Sequence, residues 1–459
     1  MKNRQIKNSL IKNSLIKNIQ PYAAKIISST ALLNLKRYLF ESKRRVLRQP
    51  HKIDVYLRIN DPYSYLLVQI LADFEQRFKV SIQFKTIMQL QDDMYPEVGM
   101  WHDNGFIDAT HLAQLYGLKF PAQSPDNNLM RVQQGTHSLL RLESLSLEEG
   151  CDWQQINSIF AQYWFQQGLS SNDISLTDSM LVDQLINNEQ DLAKQGHYMS
   201  AMLHYAGEWY WGLDRLDHLE KRLNGLNAHH EANSAEVLFN KTYADFCRQP
   251  RIAASQTDKK LVVFFSIRSP YSHLGLQQAI KLAQHYQLAL EIKPILPMIM
   301  RGLPVPKTKK MYIFHDTKRE AEKLGIDYGF VADPLGQGVE NCYLLFSYAQ
   351  SLGCEQQFVL NYAKAVNAQG IRSETDAGLK VIVQRSGMDW DYAKSILQNP
   401  EADKEWRQWA ESNRLEMLAL GSWGVPTFQY GDLVLWGQDR IGIIESVIRQ
   451  DQLLFLRAG

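Results

Sequence analysis

The sequence predicts an α/β protein made of two copies of one unit, each close to 200 residues long. The first observation is an internal repeat: residues 54–87 align without gaps with residues 262–295, and Pro-Tyr-Ser-x-Leu recurs at the same place in both. The second is a change of hydrophobic periodicity within each copy, from short β-rich runs to helical spacing. The third is the length of 459 residues, which allows two or three domains at roughly 150 residues each.

The elements of the second copy follow from its periodicity. Two β-rich runs enclose an amphipathic helix, and a long helical stretch then precedes two short strands across a Tyr-Gly-Asp turn. A βαβ unit, a helical insertion and a ββα unit form the layout of a thioredoxin-like sheet with an inserted helical subdomain. The predicted elements are strand Leu261–Ile267, helix Pro270–Tyr286, strand Leu288–Ile295, helices within Asp316–Met417, strands Thr427–Tyr430 and Asp432–Trp436, and helix Arg440–Arg449.

The repeat continues to the end of both copies with a changing offset. Its offset is 208 at the first strand and 202 where Gln167-Gly168 matches Gln369-Gly370. It becomes 225 where Trp211-Gly212-Leu213-Asp214-Arg215 matches Trp436-Gly437-Gln438-Asp439-Arg440, and 225 − 202 = 23. The second copy is therefore longer in its final third, by 23 residues around Gly387 to Arg414. We predict a basic tail over residues 1–50, the first copy over 51–250 and the second over 258–456.

The net charge of +1 is unevenly distributed. Residues 1–48 hold twelve Lys or Arg and one acid, which sums to +11 and leaves 1 − 11 = −10 for the rest. Lysines interrupt every apolar run of the repetitive opening over residues 6–18, so a secretory signal is not predicted. We expect a poorly ordered or marginally helical tail. The alternative is that the basic tail is attracted to an anionic membrane surface or to a nucleic acid. Of these two we expect weak contact with a membrane surface and no nucleic acid partner.

The chain has four cysteines, and none forms a CxxC pair or a zinc-like spacing with histidine. This usage is typical of a reducing cytosol, so we expect a cytoplasmic protein without structural disulfides. A redox or metal centre built on cysteine is not expected. The sequence also contains no run of about 18 apolar residues, the length a membrane-spanning helix needs.

Two features of the second copy could bind an anionic peptide. Ser269 precedes Pro270 at the predicted start of a helix, where free backbone N–H groups and the helix dipole favour an anion. Ser269 could equally be only a good helix cap. Val425 and Pro426 precede a strand, and a cis peptide bond there would turn the Val425 backbone outward as an unpaired edge. The alternative is an ordinary edge proline.

Several segments between residues 260 and 450 together resemble one family. These are Ser269-Pro270-Tyr271-Ser272, Leu296-Pro297 through Met300-Arg301-Gly302-Leu303-Pro304-Val305-Pro306, Asp316 with Arg319-Glu320-Ala321, Asp333-Pro334-Leu335, Gly424-Val425-Pro426-Thr427 and Gly437-Gln438-Asp439-Arg440. The second copy resembles the kappa-class glutathione transferases and 2-hydroxychromene-2-carboxylate isomerases, which are relatives of the DsbA oxidoreductases. Both copies are therefore expected to be DsbA-like thioredoxin domains.

The resemblance implies glutathione as the cofactor and gives roles to five residues. Ser269 takes the place of the first redox cysteine and donates a hydrogen bond to the glutathione sulfur. Val425, before Pro426, pairs with the backbone of the glutathione cysteine. Gln438 and Asp439 hold the γ-glutamyl end, although the family often has Ser or Asn where Gln438 stands. The implied substrate is a small-molecule electrophile or an aromatic acid, handled by an isomerase or a transferase.

The choice of reaction depends on the predicted lid, residues 298–312. Lys307, Lys309 and Lys310 could meet a substrate carboxylate or form a solvated surface. Tyr312 could be a donor or part of the core. Arg440 has a similar ambiguity, since it could be a surface charge beside a helix.

The first copy lacks these parts. Asp61 stands where the second copy has Ser269, and a fixed negative charge at that helix end would oppose a thiolate. Ala201 stands where the second copy has Pro426. We interpret the first copy as a degenerate domain retained for packing, which would make the chain a pseudo-dimer; a catalytic role for Asp61 is the alternative. Two other functions remain open: a non-catalytic thioredoxin-like binding protein, and thiol–disulfide exchange, against which the absence of Cys at positions 269 and 272 argues.

Overall fold

The computed structural model describes most of the chain: residues 17–89, 94, 97–167, 179–230, 235–242, 246–249 and 259–458, without the side chains of 147–149 and 454–458. Backbone contacts divide the chain into two compact units. The first unit comprises Lys36–Ala244 and Pro306–Lys309. The second comprises Met1–Leu35, Asp245–Val305 and Lys310–Gly459. The predicted domain limits of 51–250 and 258–456 stay predictions.

The N-terminal segment is helical where the structure describes it. Residues 17–27 form helix α1 and Thr30–Val46 forms helix α2, whereas we expected a poorly ordered or marginally helical tail. The division between the two compact units falls between Leu35 and Lys36, and the predicted limits of 1–50 for the tail stay a prediction. Most of the five-residue repeat lies outside the described residues.

From His51 onward the first unit contains strands and helices in the predicted order. Asp61 caps the first of its core helices, and Pro62 follows at the first helical position, where a missing N–H costs nothing. Its elements are β1 (His51–Leu57), α3 (Pro62–Arg77), β2 (Val80–Thr86), α4 (Val98–Tyr116), α5 (Leu129–Glu149), α6 (Trp153–Trp164), α7 (Ser179–Lys194), β3 (Met202–Tyr205), β4 (Glu208–Trp211) and α8 (Leu216–Gly225).

The second unit has the same order with more helices in its insertion. Its elements are β5 (Leu261–Phe265), α9 (Pro270–Tyr286), β6 (Leu290–Pro294), α10 (Lys307–Leu324), α11 (Gln337–Ser351), α12 (Glu355–Ala368), α13 (Asp376–Arg385), α14 (Trp390–Leu397), α15 (Pro400–Ala419), β7 (Thr427–Tyr430), β8 (Leu433–Trp436) and α16 (Ile441–Ala458). The predicted α/β class is confirmed, and the predicted bounds of α9 and β7 match those observed. The predicted helix over 440–449 is longer than expected.

The two sheets have identical topology and register. Each has four strands, in the orders β2-β1-β3-β4 and β6-β5-β7-β8, with one parallel pair and two antiparallel pairs. Val55 faces Phe84 and Leu203 in the first sheet, and Val263 faces Ile292 and Phe428 in the second. The sequence offset of 208 relates Val55 to Val263 and Phe84 to Ile292, and the offset of 225 relates Leu203 to Phe428. The repeat seen in the sequence is therefore reproduced residue by residue in the strand pairing.

Helix α9 packs unusually close to the loop before β7. A Cβ atom added at Gly275 would lie 2.8 Å from Cγ of Pro426 and 3.0 Å from Cζ of Phe428. Glycine inside a helix costs up to about 1 kcal/mol relative to alanine, so its presence at this position reflects the close approach. Phe428 and Leu274 are both completely buried.

None of the helices in the described ranges combines the length and the apolar character needed to cross a bilayer.

We expect Gly275→Ala to lower the free energy of unfolding by about 1–3 kcal/mol, the range for overpacking a core. The added methyl group meets the rigid ring of Pro426, which cannot swing away. Urea denaturation followed by circular dichroism measures the change.

Gly99→Ala is the matched control. Gly99 also lies in a helix, α4, and a Cβ atom added there has nothing within 4 Å. It should leave the stability unchanged or raise it slightly, through helix propensity. Equal stability of the Gly275→Ala and Gly99→Ala proteins would contradict the close packing of α9 on Pro426.

Candidate active site at the start of helix α9

Ser269 lies at the N-terminus of α9 and is half-buried. Its Oγ accepts a hydrogen bond from the Ser272 N–H at 3.2 Å, as a helix cap should. A hydroxyl that accepts through a lone pair keeps its own proton for donation. Within the described ranges, no hydrogen bond uses the Ser269 hydroxyl as donor. Ser269 is therefore a helix cap and also a donor available to a ligand.

Two ion-paired networks hold the residues on either side of Ser269. Arg268 makes a bidentate salt bridge with Asp333, through contacts of 2.8 Å each. The Tyr271 hydroxyl donates to Asp316 at 2.7 Å, and Arg319 pairs with the same carboxylate. Bidentate pairs of this kind fix geometry as well as adding energy. The start of α9 is thus fastened to α10 and to the segment before α11.

The Val425–Pro426 loop is the second predicted part of the site. The Val425–Pro426 peptide bond is cis. The Pro426 carbonyl accepts from the Gly437 N–H at 2.9 Å, and the Thr427 hydroxyl donates to the Gly424 carbonyl at 2.7 Å. By contrast, no hydrogen bond within the described residues involves the Val425 backbone. Val425 therefore offers a free N–H and C=O from a firmly held loop.

Gln438, Asp439 and Arg440 form a single 3-10 turn against which α9 packs. All three are buried. The Gln438 side-chain amide donates to Glu320 at 3.0 Å, so part of its hydrogen-bonding capacity is used inside the protein. One Asp439 oxygen lies 3.5 Å from the Arg440 guanidinium. The view of Arg440 as a surface charge is wrong, because this residue is 1% exposed.

The predicted lid begins with a 3-10 turn over Met298–Arg301. Lys307 and Lys310 lie in the first turn of α10, and neither makes an ion pair with a described residue. The Lys309 ammonium donates to the Met94 carbonyl at 2.5 Å. Tyr312 is half-buried on the same helix. Whether any of these groups meets a substrate stays a prediction.

The first unit has a different group at the equivalent helix start. Asp61 is buried, and one of its oxygens accepts from both the N–H and the hydroxyl of Ser64, at 3.0 and 2.7 Å. An ionised carboxylate accepts hydrogen bonds and donates none. Ala201, which stands in place of the cis proline, has a positive φ of 55°. This helix start lacks both the donor and the proline.

One supporting contact is present in both units. The Tyr63 hydroxyl donates to Asp108 at 2.8 Å, as Tyr271 does to Asp316. Because the first unit keeps this contact without the serine, the tyrosine–aspartate pair belongs to the scaffold. Asp316 belongs to the motifs that carry the family resemblance, which give it no role of its own. The matching offset of 208 in both partners could have revealed the pair.

Residues 260–449 match the DsbA-like thioredoxin domain family. Over these residues the chain is similar to DsbA-like thioredoxin domains, and we call residues 260–449 the DsbA-like domain. A protein named 2-hydroxychromene-2-carboxylate isomerase from Pseudomonas putida is 25% identical over 193 residues, which cover 40% of this chain and 92% of that protein. A protein of the same name from Sphingobium xenophagum is 26% identical over 200 residues, covering 41% and 98%.

Two solved structures are also similar to the DsbA-like domain. A 2-hydroxychromene-2-carboxylate isomerase shares 25% identity with a TM-score of 0.38, over 43% of this chain and 97% of that one. A probable DsbA oxidoreductase from Streptomyces coelicolor shares 15% identity with a TM-score of 0.34, over 42% and 89%.

None of the four cysteines lies at the start of α9, where Ser269 stands. All four thiols are free, and Cys342 is completely buried. Burial raises the pKa of the Cys151 thiol to about 11 and that of Cys247 to about 12. Burial likewise raises the pKa of the Cys342 and Cys354 thiols. Since the thiolate is the reactive form, these side chains are poorly suited to thiol–disulfide exchange.

The contact between Glu320 and Gln438 in the DsbA-like domain can be tested by a double-mutant cycle. The equivalent positions in the first unit are Leu112 and Leu213, both buried. We expect Glu320→Leu and Gln438→Leu each to lower the free energy of unfolding by about 1–3 kcal/mol, because each leaves a buried polar group without its partner. The double variant should cost less than the sum, since both polar groups are gone.

Urea denaturation of the four proteins measures the cycle. Gln438→Leu combined with Thr375→Ala, which removes the cap of α13, is the control, and these two effects should add. Additive effects of the Glu320 and Gln438 substitutions would contradict a coupled pair.

Proposed function

We propose that the DsbA-like domain binds glutathione and uses it in an isomerase or transferase reaction on a small electrophile or an aromatic acid. The observation that carries the proposal is the Ser269 hydroxyl, held at a helix N-terminus with its proton available for donation. A hydroxyl donor and the positive end of a helix dipole both stabilise a thiolate. The names of the two curated relatives support an isomerase.

The groups around Ser269 suit a small peptide such as glutathione. The unpaired N–H and C=O of Val425 can pair with one extended residue, as an exposed strand edge does. The Asp439 carboxylate is suited to the free ammonium group of a γ-glutamyl residue. Gln438 contributes less in this account, because its amide already donates to Glu320.

Glutathione, when bound, supplies a sulfur nucleophile that the DsbA-like domain lacks. Ser269 holds the negative charge by donating its hydroxyl proton in a hydrogen bond, and Val425 orients the ligand backbone. Burial of the domain's own thiols keeps them protonated. Arg268 and Tyr271, through Asp333 and Asp316, keep the helix start fixed while a ligand is bound.

We also propose that the first unit is a degenerate tandem copy. The shared strand register and the shared tyrosine–aspartate contact support a common origin. One oxygen of Asp61 accepts two hydrogen bonds from Ser64. An ionised carboxylate has no proton to donate to a thiolate. The function of this copy would be packing within the chain, as a second subunit packs in a dimer.

A non-catalytic binding protein is the second candidate. The free Val425 edge favours it, because a strand edge can accept an extended peptide from a partner protein. Thiol–disulfide exchange has less support, since neither Ser269 nor Ser272 can form a mixed disulfide. Binding of glutathione separates the two leading candidates.

Calorimetry should show that the full-length protein binds about one glutathione per chain, through the DsbA-like domain alone. Ser269→Ala should weaken binding at neutral pH by roughly ten- to a hundredfold, because a hydrogen bond to a charged group is worth about 1.5–3 kcal/mol. Asp61→Ser should not change the affinity of this site.

Thr375→Ala is the matched control for Ser269→Ala. Thr375 caps α13 by accepting from the Gly378 N–H at 3.2 Å, so its loss removes a cap of the same kind elsewhere in the unit. This variant should bind glutathione like the wild type. Absence of glutathione binding, or equal affinity in the Ser269→Ala protein, would overturn the proposed function.

A further inference from the structure

None of the residues of helix α2 is buried, so all of its apolar side chains are at least partly exposed to solvent. Leu35 and Leu39 are 53% and 58% exposed, Tyr38 is 69% exposed and Val46 is 82% exposed. Isolated apolar side chains on a surface are ordinary, but a contiguous group this exposed marks an interaction site.

The four most exposed apolar side chains of α2, those of Leu35, Tyr38, Leu39 and Val46, lie on one face. At 100° per residue they fall within an arc of about 100°. Lys36 and Lys43 flank this arc on one side and Arg45 on the other. Neither lysine makes an ion pair with a described residue. The face comprises Ala31, Leu35, Tyr38, Leu39, Ser42 and Val46, and we call it the outward face of α2.

The opposite side of α2 is fastened to the protein. Arg37 makes a bidentate salt bridge with Glu208, at 2.8 and 2.7 Å, and the Phe40 ring lies 6.3 Å from that of Tyr205. These contacts fix the rotation of the helix. The outward face is therefore directed to solvent by specific contacts on the other side.

The one acid of α2 does not reduce the positive charge of the outward face. Glu41 is held by Arg44 and Arg45, each at 2.7 Å, and its side chain is only 13% exposed. The Arg44 side chain lowers the pKa of this carboxyl to about 2, so the acid stays ionised within its own ion pairs. The helix contains five basic residues and this single acid.

We propose that the outward face of α2 binds the surface of a bilayer that contains anionic lipids. An apolar stripe with lysine and arginine along its borders is the pattern of helices that lie in the membrane interface. The apolar side chains enter the boundary between headgroups and acyl chains, and the basic side chains meet lipid phosphates. A nucleic acid would bind the lysine and arginine side chains but leave Leu35, Leu39 and Val46 exposed to water. The apolar stripe therefore favours a lipid surface.

Flotation of the full-length protein with lipid vesicles tests this interface. Wild-type protein should float with vesicles of phosphatidylcholine and phosphatidylglycerol and stay unbound with phosphatidylcholine alone. Leu35→Gln, Leu39→Gln and Val46→Gln combined should lower the partition coefficient by about tenfold or more, because the buried apolar area is lost. Lys36→Gln with Lys43→Gln should weaken binding in the same direction, and salt should mimic it.

A second triple variant is the matched control: Met180→Gln, Leu352→Gln and Leu415→Gln remove apolar side chains that are 79%, 51% and 53% exposed. They lie on α7, at the C-terminal cap of α11 and on α15. The control variant should float like the wild type, and circular dichroism should show all variants folded. Failure of the wild type to float, or unchanged flotation of the α2 triple variant, overturns the proposal. A lipid-free dimer, measured by light scattering, that the α2 triple variant dissociates also overturns it, because a second copy would then cover this face.

Discussion

The candidate site depends on the close packing of α9 against the loop before β7. Gly275 lets the helix backbone approach the Pro426 ring, which any larger side chain would hold off. The same helix begins at Ser269 and packs against the turn of Gln438 and Asp439. One packing contact therefore sets the positions of the hydroxyl donor, the free Val425 edge and the buried acid together. Loss of that contact would separate all three.

The two units have different residues at equivalent packing positions. At offsets of 208 and 225, contacting pairs of the second unit correspond to pairs of different size or polarity in the first: Gly275 with Pro426 to Leu67 with Ala201, and Glu320 with Gln438 to Leu112 with Leu213. Each exchange is compensated, since a small residue gains a large partner and a polar pair becomes apolar. Core volume and polar satisfaction constrain both units, whereas only the second keeps the serine and the proline.

The sequence predicted the α/β class and the order of the elements, because periodicity and the repeat report them directly. It also predicted Ser269 as a helix cap. It could not predict that Gln438 donates to Glu320 or that Arg440 is buried, since those contacts join residues more than a hundred positions apart or depend on packing around one turn. For the N-terminal segment we expected a poorly ordered or marginally helical tail, and its described part forms helices α1 and α2.

We propose that the start of α9 stabilises the thiolate of bound glutathione. The most direct measurement is the ultraviolet absorbance of the thiolate as a function of pH, for glutathione bound to the wild type and to Ser269→Ala. A free cysteine thiol has a pKa near about 8.5. The account predicts a bound pKa at least about one unit lower, with most of that shift lost in the Ser269→Ala protein. A bound pKa equal to that of free glutathione, or one that is the same in both proteins, would contradict it.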